Sequence, residues 1–242
     1  MWAGQDGDLD IRKYMTLKNY YGAKGKYLEE HKEYFSREQL NKEVDFLIKS
    51  LRLAKKDKIL DLACGNGRHA IELKKRGFDI EGLDFSSHLI KIAEEHTRTE
   101  KLQIKFYKQD IHKINIGKQY DKVFLFFSEF GLFDADVVLN NISKVVKKDG
   151  LFLLDSDNTF RLIFYLEKHP DAPFDFDVLK MELTAKEKNG EKRVRFYTFP
   201  ELKKKITDAG FSISKVYGNY QREKLDINSS RMIVVGKKLV GR

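Results

Sequence analysis

The sequence predicts an α/β protein whose sheet is doubly wound and mostly parallel. Short apolar segments alternate with amphipathic helical ones between about residues 58 and 155, the pattern of strands joined by crossover helices. Residues 121–127 (DKVFLFF) are almost continuously apolar, which is typical of a strand covered by helices on both faces. With 41% hydrophobic residues in 242, the chain can build a large core, which excludes intrinsic disorder.

The N-terminal part is predicted to be helical after a short disordered tail at residues 1–8. Residues 9–35 are helix-like and rich in Tyr and Lys. Ser36 and Gln39 then form a capping box, which an apolar stripe at helical spacing follows. The stripe comprises Leu40, Val44, Leu47, Ile48 and Leu51.

Five parallel strands are expected next, with helices beginning near residues 68, 87 and 134. No repeat or linker marks a boundary in this part, so residues 9–242 are expected to form a single domain. The five strands are expected at residues 58–63, 79–83, 102–107, 121–127 and 151–155.

After the fifth strand the pattern changes. Two alternating segments around an Asn-Gly pair predict a β-hairpin, which we interpret as an insertion at about residues 156–198 that covers the active site. A capping box at Thr198 and Glu201 opens another helix. The hairpin strands are expected at residues 178–184 and 192–198, and a closing antiparallel pair at residues 211–217 and 231–235.

The composition limits the class of partner only loosely. A formal charge of +9, from 46 Lys and Arg against 37 Asp and Glu, is compatible with nucleic acid, an anionic ligand or a lysine-rich surface. Acidic residues lie near most basic clusters, which favours a solvated coat, with a weaker indication of an anionic partner near the hairpin. The single Cys64 excludes an internal disulfide and a multi-cysteine metal site, and no apolar run reaches the roughly 18 residues of a membrane span. A cytoplasmic protein without a metal site is expected.

The most informative segment is DLACGNGRHA, which begins at Asp61 and joins a strand end to a Gly-containing turn and a helix. Gly65 and Gly67 permit close backbone approach to a ligand, and the helix N-terminus offers free N–H groups. With Ala70 they match the relaxed dinucleotide pattern G-x-G-x-x-A, so a nicotinamide enzyme is one alternative. The carboxylate of Asp61 would repel a pyrophosphate and attract the ammonium and sulfonium groups of S-adenosylmethionine, which favours that cofactor.

Two further carboxylates follow the next strands. Asp84 ends the second strand, where a carboxylate can accept hydrogen bonds from both ribose hydroxyls. Asp110 follows the third strand and can reach the amine of an adenine. Each residue alone has an ordinary structural alternative, such as a helix cap or a solvated turn. Together with Asp61 they mark one edge of a parallel sheet as a ligand site.

From about residue 38 to residue 238 the chain resembles the class I S-adenosylmethionine-dependent methyltransferases. Its departures are Ala63, where the family usually has Gly, and Asp149-Gly150 in place of a Pro-Gly-Gly turn. The resemblance implies a Rossmann-like seven-stranded sheet, mostly parallel, with a C-terminal antiparallel strand and the β-hairpin insertion. The matching segments are LDLACGNGRHA, GFDIEGLDFS, YKQDI, YDKVFLFFSEFGLF, and FYTFPELKKKITDAGF with RMIVVGKK.

The resemblance also implies roles for individual residues. Phe85 would pack on the adenine, and Tyr20 or Tyr21 would lie over the site, the alternative being that they pack in the core. Glu129 would face the methyl acceptor as a base or as an anionic contact, the alternative being a surface carboxylate; Asp155, Asp157 and Asn158 are the next candidates. The implied cofactor-binding set is Asp61, Ala63, Cys64, Gly65, Gly67, Asp84, Phe85, Asp110, Ile111, Phe126, Phe127 and Tyr20.

Three functions remain open at this point. We favour methyl transfer to the N or O atom of a small molecule, because the post-strand-four segment lacks the proline motif of base-amine methyltransferases. The alternatives are an RNA or tRNA methyltransferase, which the charge suggests, and a non-catalytic module that binds S-adenosylmethionine. The sequence indicates neither the acceptor nor the oligomeric state.

Overall fold

The computed structural model describes residues 21–25, 27–30, 36–126, 130–187 and 190–239. Short 3-10 turns at Ile111–Lys113 and Phe130–Leu132 connect some of its elements. No helix in these ranges combines the length and the apolar character that crossing a bilayer requires. In chain order the elements are α1 (Tyr27–Glu30), α2 (Arg37–Leu51), β1 (Lys58–Leu62), α3 (Arg68–Lys75), β2 (Asp79–Asp84), α4 (Ser87–Thr99), β3 (Phe106–Lys108), β4 (Tyr120–Leu125), α5 (Ala135–Val145), β5 (Val146–Asp157), α6 (Thr159–Lys168), β6 (Phe174–Asp177), β7 (Glu182–Glu187), β8 (Gly190–Arg195), α7 (Phe199–Asp208), β9 (Phe211–Tyr217) and β10 (Arg231–Lys238).

Seven strands of the described ranges form one sheet in the order β3-β2-β1-β4-β5-β10-β9. The first five are parallel, and β10 lies antiparallel between β5 and β9. This confirms the predicted Rossmann-like fold with its antiparallel C-terminal strand. Because the five parallel strands share one direction, their carboxyl ends lie along one edge of the sheet, where ligands bind in open α/β folds.

Strand β4 shows how the sheet is buried on both faces. Val123 and Leu125 face a buried cluster that includes residues of α5 and α7, whereas Phe124 faces one that includes residues of α2 and α3. All three side chains are fully buried. Burial of one such side chain contributes about 1.5–3 kcal/mol. The apolar run therefore stabilises the fold on both faces of β4, since two cores meet at this strand.

Helix α2 forms where the apolar stripe predicted it. The Oγ atom of its N-cap Ser36 accepts a hydrogen bond from the N–H of Gln39 at 3.2 Å, which is one half of the predicted capping box. The Gln39 side chain donates to Glu43 at 3.0 Å instead of returning to Ser36. Val44 and Leu47 of the stripe are fully buried.

The insertion contains more structure than the predicted hairpin. Strands β6, β7 and β8 form an antiparallel sheet in chain order, and Leu162 of α6 packs on it against Leu183 and Val194. The first hairpin strand begins later than predicted, because the Oδ1 atom of Asp177 accepts the N–H groups of residues 179 and 180, both at 3.0 Å, and turns the chain there. The second begins earlier than predicted, at Gly190.

Several predicted boundaries differ in smaller ways. The third strand covers only the end of the predicted range, and the fifth begins earlier, at Val146. Thr198 is the N-cap of α7, but its side chain forms no cap hydrogen bond. Glu201, the other residue of the predicted capping box, pairs with Arg195 at 2.6 Å. Of the predicted helical segment at residues 9–35, only residues 21–25 and 27–30 are described, and 27–30 are helical.

Candidate active site

The turn between β1 and α3 is tightly wound. Ala63, Gly65 and Gly67 all have positive φ, at 52°, 55° and 74°. A non-glycine residue in this left-handed region costs roughly 1–2 kcal/mol, which explains why glycine is the usual residue where Ala63 stands. A Cβ atom on Gly67 would lie 2.9 Å from the Cβ of Ala93 in α4. The turn therefore lies directly against the next helix, and only glycine fits at residue 67.

Asp84, the last residue of β2, holds this turn in place. Its Oδ2 atom accepts the Gly65 N–H at 2.8 Å, and its Oδ1 atom accepts the Ser86 N–H at 2.8 Å. Burial raises the pKa of the Asp84 carboxyl, although these backbone hydrogen bonds oppose the shift. Each carboxylate oxygen can accept a second hydrogen bond, so Asp84 retains capacity for a ligand.

Asp61 in β1 is buried beside Asp84, and its Oδ2 atom has no hydrogen-bond partner among the described residues. Burial raises the pKa of Asp61 well above its usual range, the neighbouring Asp84 raises it further, and Arg68 lowers it. An unpartnered buried carboxylate oxygen is costly unless a donor reaches it. A ligand that carries an ammonium group fits this position, whereas a pyrophosphate would be repelled.

Cys64 fills space under the same turn. Its thiol is buried against Gly82, where an added Cβ atom would lie 2.8 Å from Sγ. Burial raises the pKa of the thiol well above its usual range, and the charges of Asp61 and Asp84 raise it further. The thiol is therefore held in its neutral form, and the structure assigns it packing rather than nucleophilic chemistry.

Asp110 is anchored at the end of β3. It is the N-cap of the turn that begins at the buried Ile111, and its Oδ1 atom accepts the backbone N–H of His112 at 2.9 Å and lies 2.8 Å from the Nδ1 atom of that ring. Partial burial raises the pKa of Asp110, but the hydrogen bonds from His112 outweigh it, so the net shift is downward. The Nε2 atom of His112 accepts the Asp134 N–H at 3.2 Å, so the ring proton lies on Nδ1. Asp110 therefore remains a fixed carboxylate.

Tyr21 lies against the residues that follow β2. The Ser86 Oγ donates to the Tyr21 carbonyl oxygen at 2.7 Å, and the Tyr21 and Phe85 rings meet edge to face at 5.9 Å. Phe85 is exposed beside Asp84, so its ring is available to a flat ligand. Three of the predicted site residues, Tyr20, Phe127 and Glu129, lie outside the described residues.

A buried polar network lies behind the turn, and the sequence did not predict it. Glu43 of α2 lies 2.9 Å from the His69 Nε2 atom and 2.6 Å from the Arg68 Nη1 atom. Burial lowers the pKa of His69 to about 4, and contacts with His69 and Arg68 outweigh burial to lower that of Glu43 to about 2. In the sequence, the feature that could have indicated this network is the charged Glu43 within the apolar stripe of α2. The His69 ring packs edge-on against Phe126 at 5.2 Å, so the network reaches the end of β4.

The end of β5 holds three further predicted acceptor-side candidates, Asp155, Asp157 and Asn158. Arg231 of β10 pairs with both aspartates, at 2.8 Å for Asp155. Tyr220 also donates to the Asp155 Oδ2 atom at 2.9 Å. Asp155 and Arg231 are both buried, and their ion pair joins β5 to β10. Asn158, the third candidate, caps α6.

Comparison with known proteins gives a consistent result. A methyltransferase-domain family matches residues 53–207. A methyltransferase relative from Geobacillus sp. (strain WCH70) is 24% identical over 75% of this chain and 84% of its own. Glycine/sarcosine N-methyltransferase of Aphanothece halophytica is 32% identical, over 48% of this chain and 46% of its own.

Solved structures of methyltransferases have a similar fold. The solved structure of an S-adenosylmethionine-dependent methyltransferase from Clostridium acetobutylicum ATCC 824 is similar, with a TM-score of 0.70 and 18% identity. The similarity covers 88% of this chain and 99% of that one. Because the family match spans most of the chain and the carboxylates of β1 and β2 suit a cationic ligand, the chain belongs to the class I S-adenosylmethionine-dependent methyltransferases.

Proposed function

We propose that the protein methylates a nitrogen or oxygen atom of a small molecule. When bound, S-adenosylmethionine supplies an electrophilic methyl group on a sulfonium that is a good leaving group. The chain's own task is to bind this cofactor, align the acceptor in line with the methyl group and exclude water. Such positioning can be worth about 7–11 kcal/mol.

Each described carboxylate of the edge has a distinct place in this proposal. The unpartnered Oδ2 atom of Asp61 accepts from the ammonium group, and Asp84 accepts from the ribose hydroxyls while it holds the turn. Phe85 stacks on the adenine, and Asp110 with Ile111 contacts its edge. We place the backbone of Ala63, Cys64, Gly65 and Gly67, with Phe126 and Phe127, around the methionine part, and Tyr20 over the site.

Fewer residues are assigned to the methyl acceptor than to the cofactor. We place Glu129 beside the acceptor, where it removes a proton or attracts a cationic amine. The N-terminal segment at residues 9–35 and the insertion at residues 156–198 cover the acceptor side within a single domain that spans residues 9–242, after a tail at residues 1–8. These assignments extend the sequence predictions.

Charge balance at the end of β5 supports a small acceptor over RNA. The described cations there are Arg161 and Arg231, and Asp155 and Asp157 lie beside them. Nucleic-acid binding depends on cations that are available to neutralise phosphates. The lysines of the outer surface are likewise interleaved with acids, as in the 2.9 Å pair Lys205–Asp136. The similarity to a glycine/sarcosine N-methyltransferase also favours an amine acceptor.

The test is incubation with labelled S-adenosylmethionine and a panel of amines, amino sugars, phenols and tRNA. We expect label on small amines or phenols. Label on tRNA alone would overturn the proposal in favour of the RNA alternative. Cofactor binding without transfer to any acceptor would favour the non-catalytic module. In parallel, S-adenosylhomocysteine should raise the melting temperature, and NAD should not.

A further inference from the structure

Helix α6 exposes three large apolar side chains at the carboxyl edge of the sheet. Phe160, Ile163 and Phe164 are 48%, 41% and 38% exposed. Their spacing of three and four residues places them on one face of the helix. The opposite face, through Leu162, is buried on the small sheet. The exposed face is therefore not the one that packs on the small sheet, and apolar side chains that share an exposed face are candidates for a binding surface.

A neighbouring turn adds a fourth apolar side chain. Ile227 is 51% exposed and lies in the turn before β10. The Asn158 side chain donates to the carbonyl oxygens of Asp226 and Ser229, at 3.2 and 2.8 Å, and its Oδ1 atom accepts the Phe160 N–H at 3.3 Å. One side chain thus fastens the turn that carries Ile227 to the first turn of α6.

The same turn is stiffened internally. The Asp226 N–H donates to the Ser229 Oγ atom at 2.8 Å, and the Asn228 N–H donates to the Asp226 Oδ1 atom at 2.8 Å. A rigid backbone that presents an apolar side chain to solvent is a pre-organised contact, because binding then costs little ordering entropy.

The location connects this patch to the methyl-transfer site. Asn158 directly follows β5, so α6 begins at the edge where Asp61 and Asp84 lie. Tyr220, which donates to Asp155 of β5, packs on Phe126 at 5.0 Å at the end of β4. Asp155 and Asp157 at the end of β5 already pair with Arg231. A ligand bound beside the end of β5 would therefore make its main contacts with the apolar patch.

We propose that Phe160, Ile163, Phe164 and Ile227 form a platform for the apolar body of the methyl acceptor. The acceptor class is then an amine or hydroxyl compound on an aromatic ring or alkyl chain. This inference rests on the proposed small-molecule methyl transfer and specifies its substrate class.

A binding experiment tests the platform without methyl transfer. N-phenyl-1-naphthylamine, a neutral aromatic amine that fluoresces in apolar surroundings, is titrated against the wild type, Phe160→Ser and Leu179→Ser. Leu179 is a matched control, 93% exposed in the connection between β6 and β7. We expect saturable binding that Phe160→Ser weakens at least about tenfold and Leu179→Ser leaves unchanged. Absence of saturable binding to the wild type, or equal binding to both variants, overturns the proposal.

A second variant guards against misfolding. Ile227→Ser changes an exposed turn residue, and we expect the same loss of probe binding with S-adenosylhomocysteine binding retained. If Ile227→Ser binds the probe like the wild type, the platform is wrong. A dimer of the wild type that Phe160→Ser dissociates, seen by sedimentation, would assign the face to a second copy and also overturn the proposal.

The activity arm separates the two proposals. In a series of primary amines from methylamine to octylamine, kcat/KM should rise with chain length in the wild type and much less in Phe160→Ser. Transfer that is equal across the series refutes the platform while the proposed methyl transfer stands. Absence of transfer to any small acceptor refutes the proposed function, whereas the probe titration still reports on the platform.

Discussion

The carboxyl edge of the sheet contains two regions built by opposite means. At the ends of β1 and β2, Asp84 accepts backbone N–H groups of nearby turns, such as that of Gly65, 19 residues away. At the end of β5, side chains pair across long separations, as Asp155 does with Arg231, 76 residues away. Asp84 keeps lone pairs for a ligand and Asp61 keeps an oxygen without a partner, whereas both oxygens of Asp155 are engaged.

The difference shows what each carboxylate is for. Charge left unneutralised in a buried site binds a cationic ligand, at a cost in stability that the ligand offsets. Charge that is paired and hydrogen-bonded holds two chain segments together. The two regions therefore predict different results when one charged group is removed, and three substitutions test this.

The largest effect is expected at the end of β5. Arg231→Met leaves Asp155 buried without its cation, which should lower the free energy of unfolding by about 3–5 kcal/mol. Chemical denaturation followed by circular dichroism measures it. The control Lys205→Met breaks an exposed pair with Asp136 and should cost under about 1 kcal/mol.

A double variant shows whether the loss comes from the orphaned charge. Arg231→Met combined with Asp155→Asn should recover part of the lost stability, because Asp155 is then no longer a buried charge, whereas Asp157 still lacks its cation. If the single variant is no less stable than the Lys205→Met control, the pair does not fasten β10 to β5. The contrast between the two regions would then fail.

The first region could be predicted from the sequence because its groups lie in consecutive strands and the turns after them. Asp61, Gly65 and Asp84 are recognisable once a strand, a glycine turn and a helix are placed in order. The second region could not, since Arg231 looks like the start of an ordinary strand and only folding brings it to Asp155. Glu43 was missed for a similar reason, because its partner His69 belongs to a different helix.

The second largest effect concerns cofactor binding in the first region. Asp84→Ala removes the acceptor of the Gly65 N–H and, in our proposal, of the ribose hydroxyls. Hydrogen bonds to a charged group contribute about 1.5–3 kcal/mol each, so affinity for S-adenosylhomocysteine should fall about 100-fold. Isothermal titration calorimetry measures it, with Asp79→Ala, an exposed residue of the same strand, as the control. Equal affinity in the two variants would place the ribose elsewhere.

The smallest effect concerns Asp61, where stability and binding should change in opposite directions. Burial, and then Asp84, raise its pKa above the usual value near 3.8, so the folded protein holds this proton more tightly than the unfolded chain. The contribution of this proton to the free energy of unfolding is complete below about pH 3.8. It is lost as pH rises through the folded-state pKa of Asp61. Above that pKa the ionised carboxylate weakens the ligand-free fold.

Asp61→Asn carries no charge and should therefore raise the free energy of unfolding at pH 8 by about 0.5–2 kcal/mol. The gain should shrink as pH falls through the raised folded-state pKa of Asp61, below which the wild-type carboxyl holds its proton. Affinity for S-adenosylhomocysteine should fall about tenfold, because the cofactor's ammonium group loses its carboxylate. Denaturation at pH 8 and pH 5, with calorimetry at pH 8, measures both changes, and Asp79→Asn should alter neither. A variant that loses stability at pH 8 yet binds normally would show that Asp61 holds the fold together, as Asp155 does, and serves no ligand.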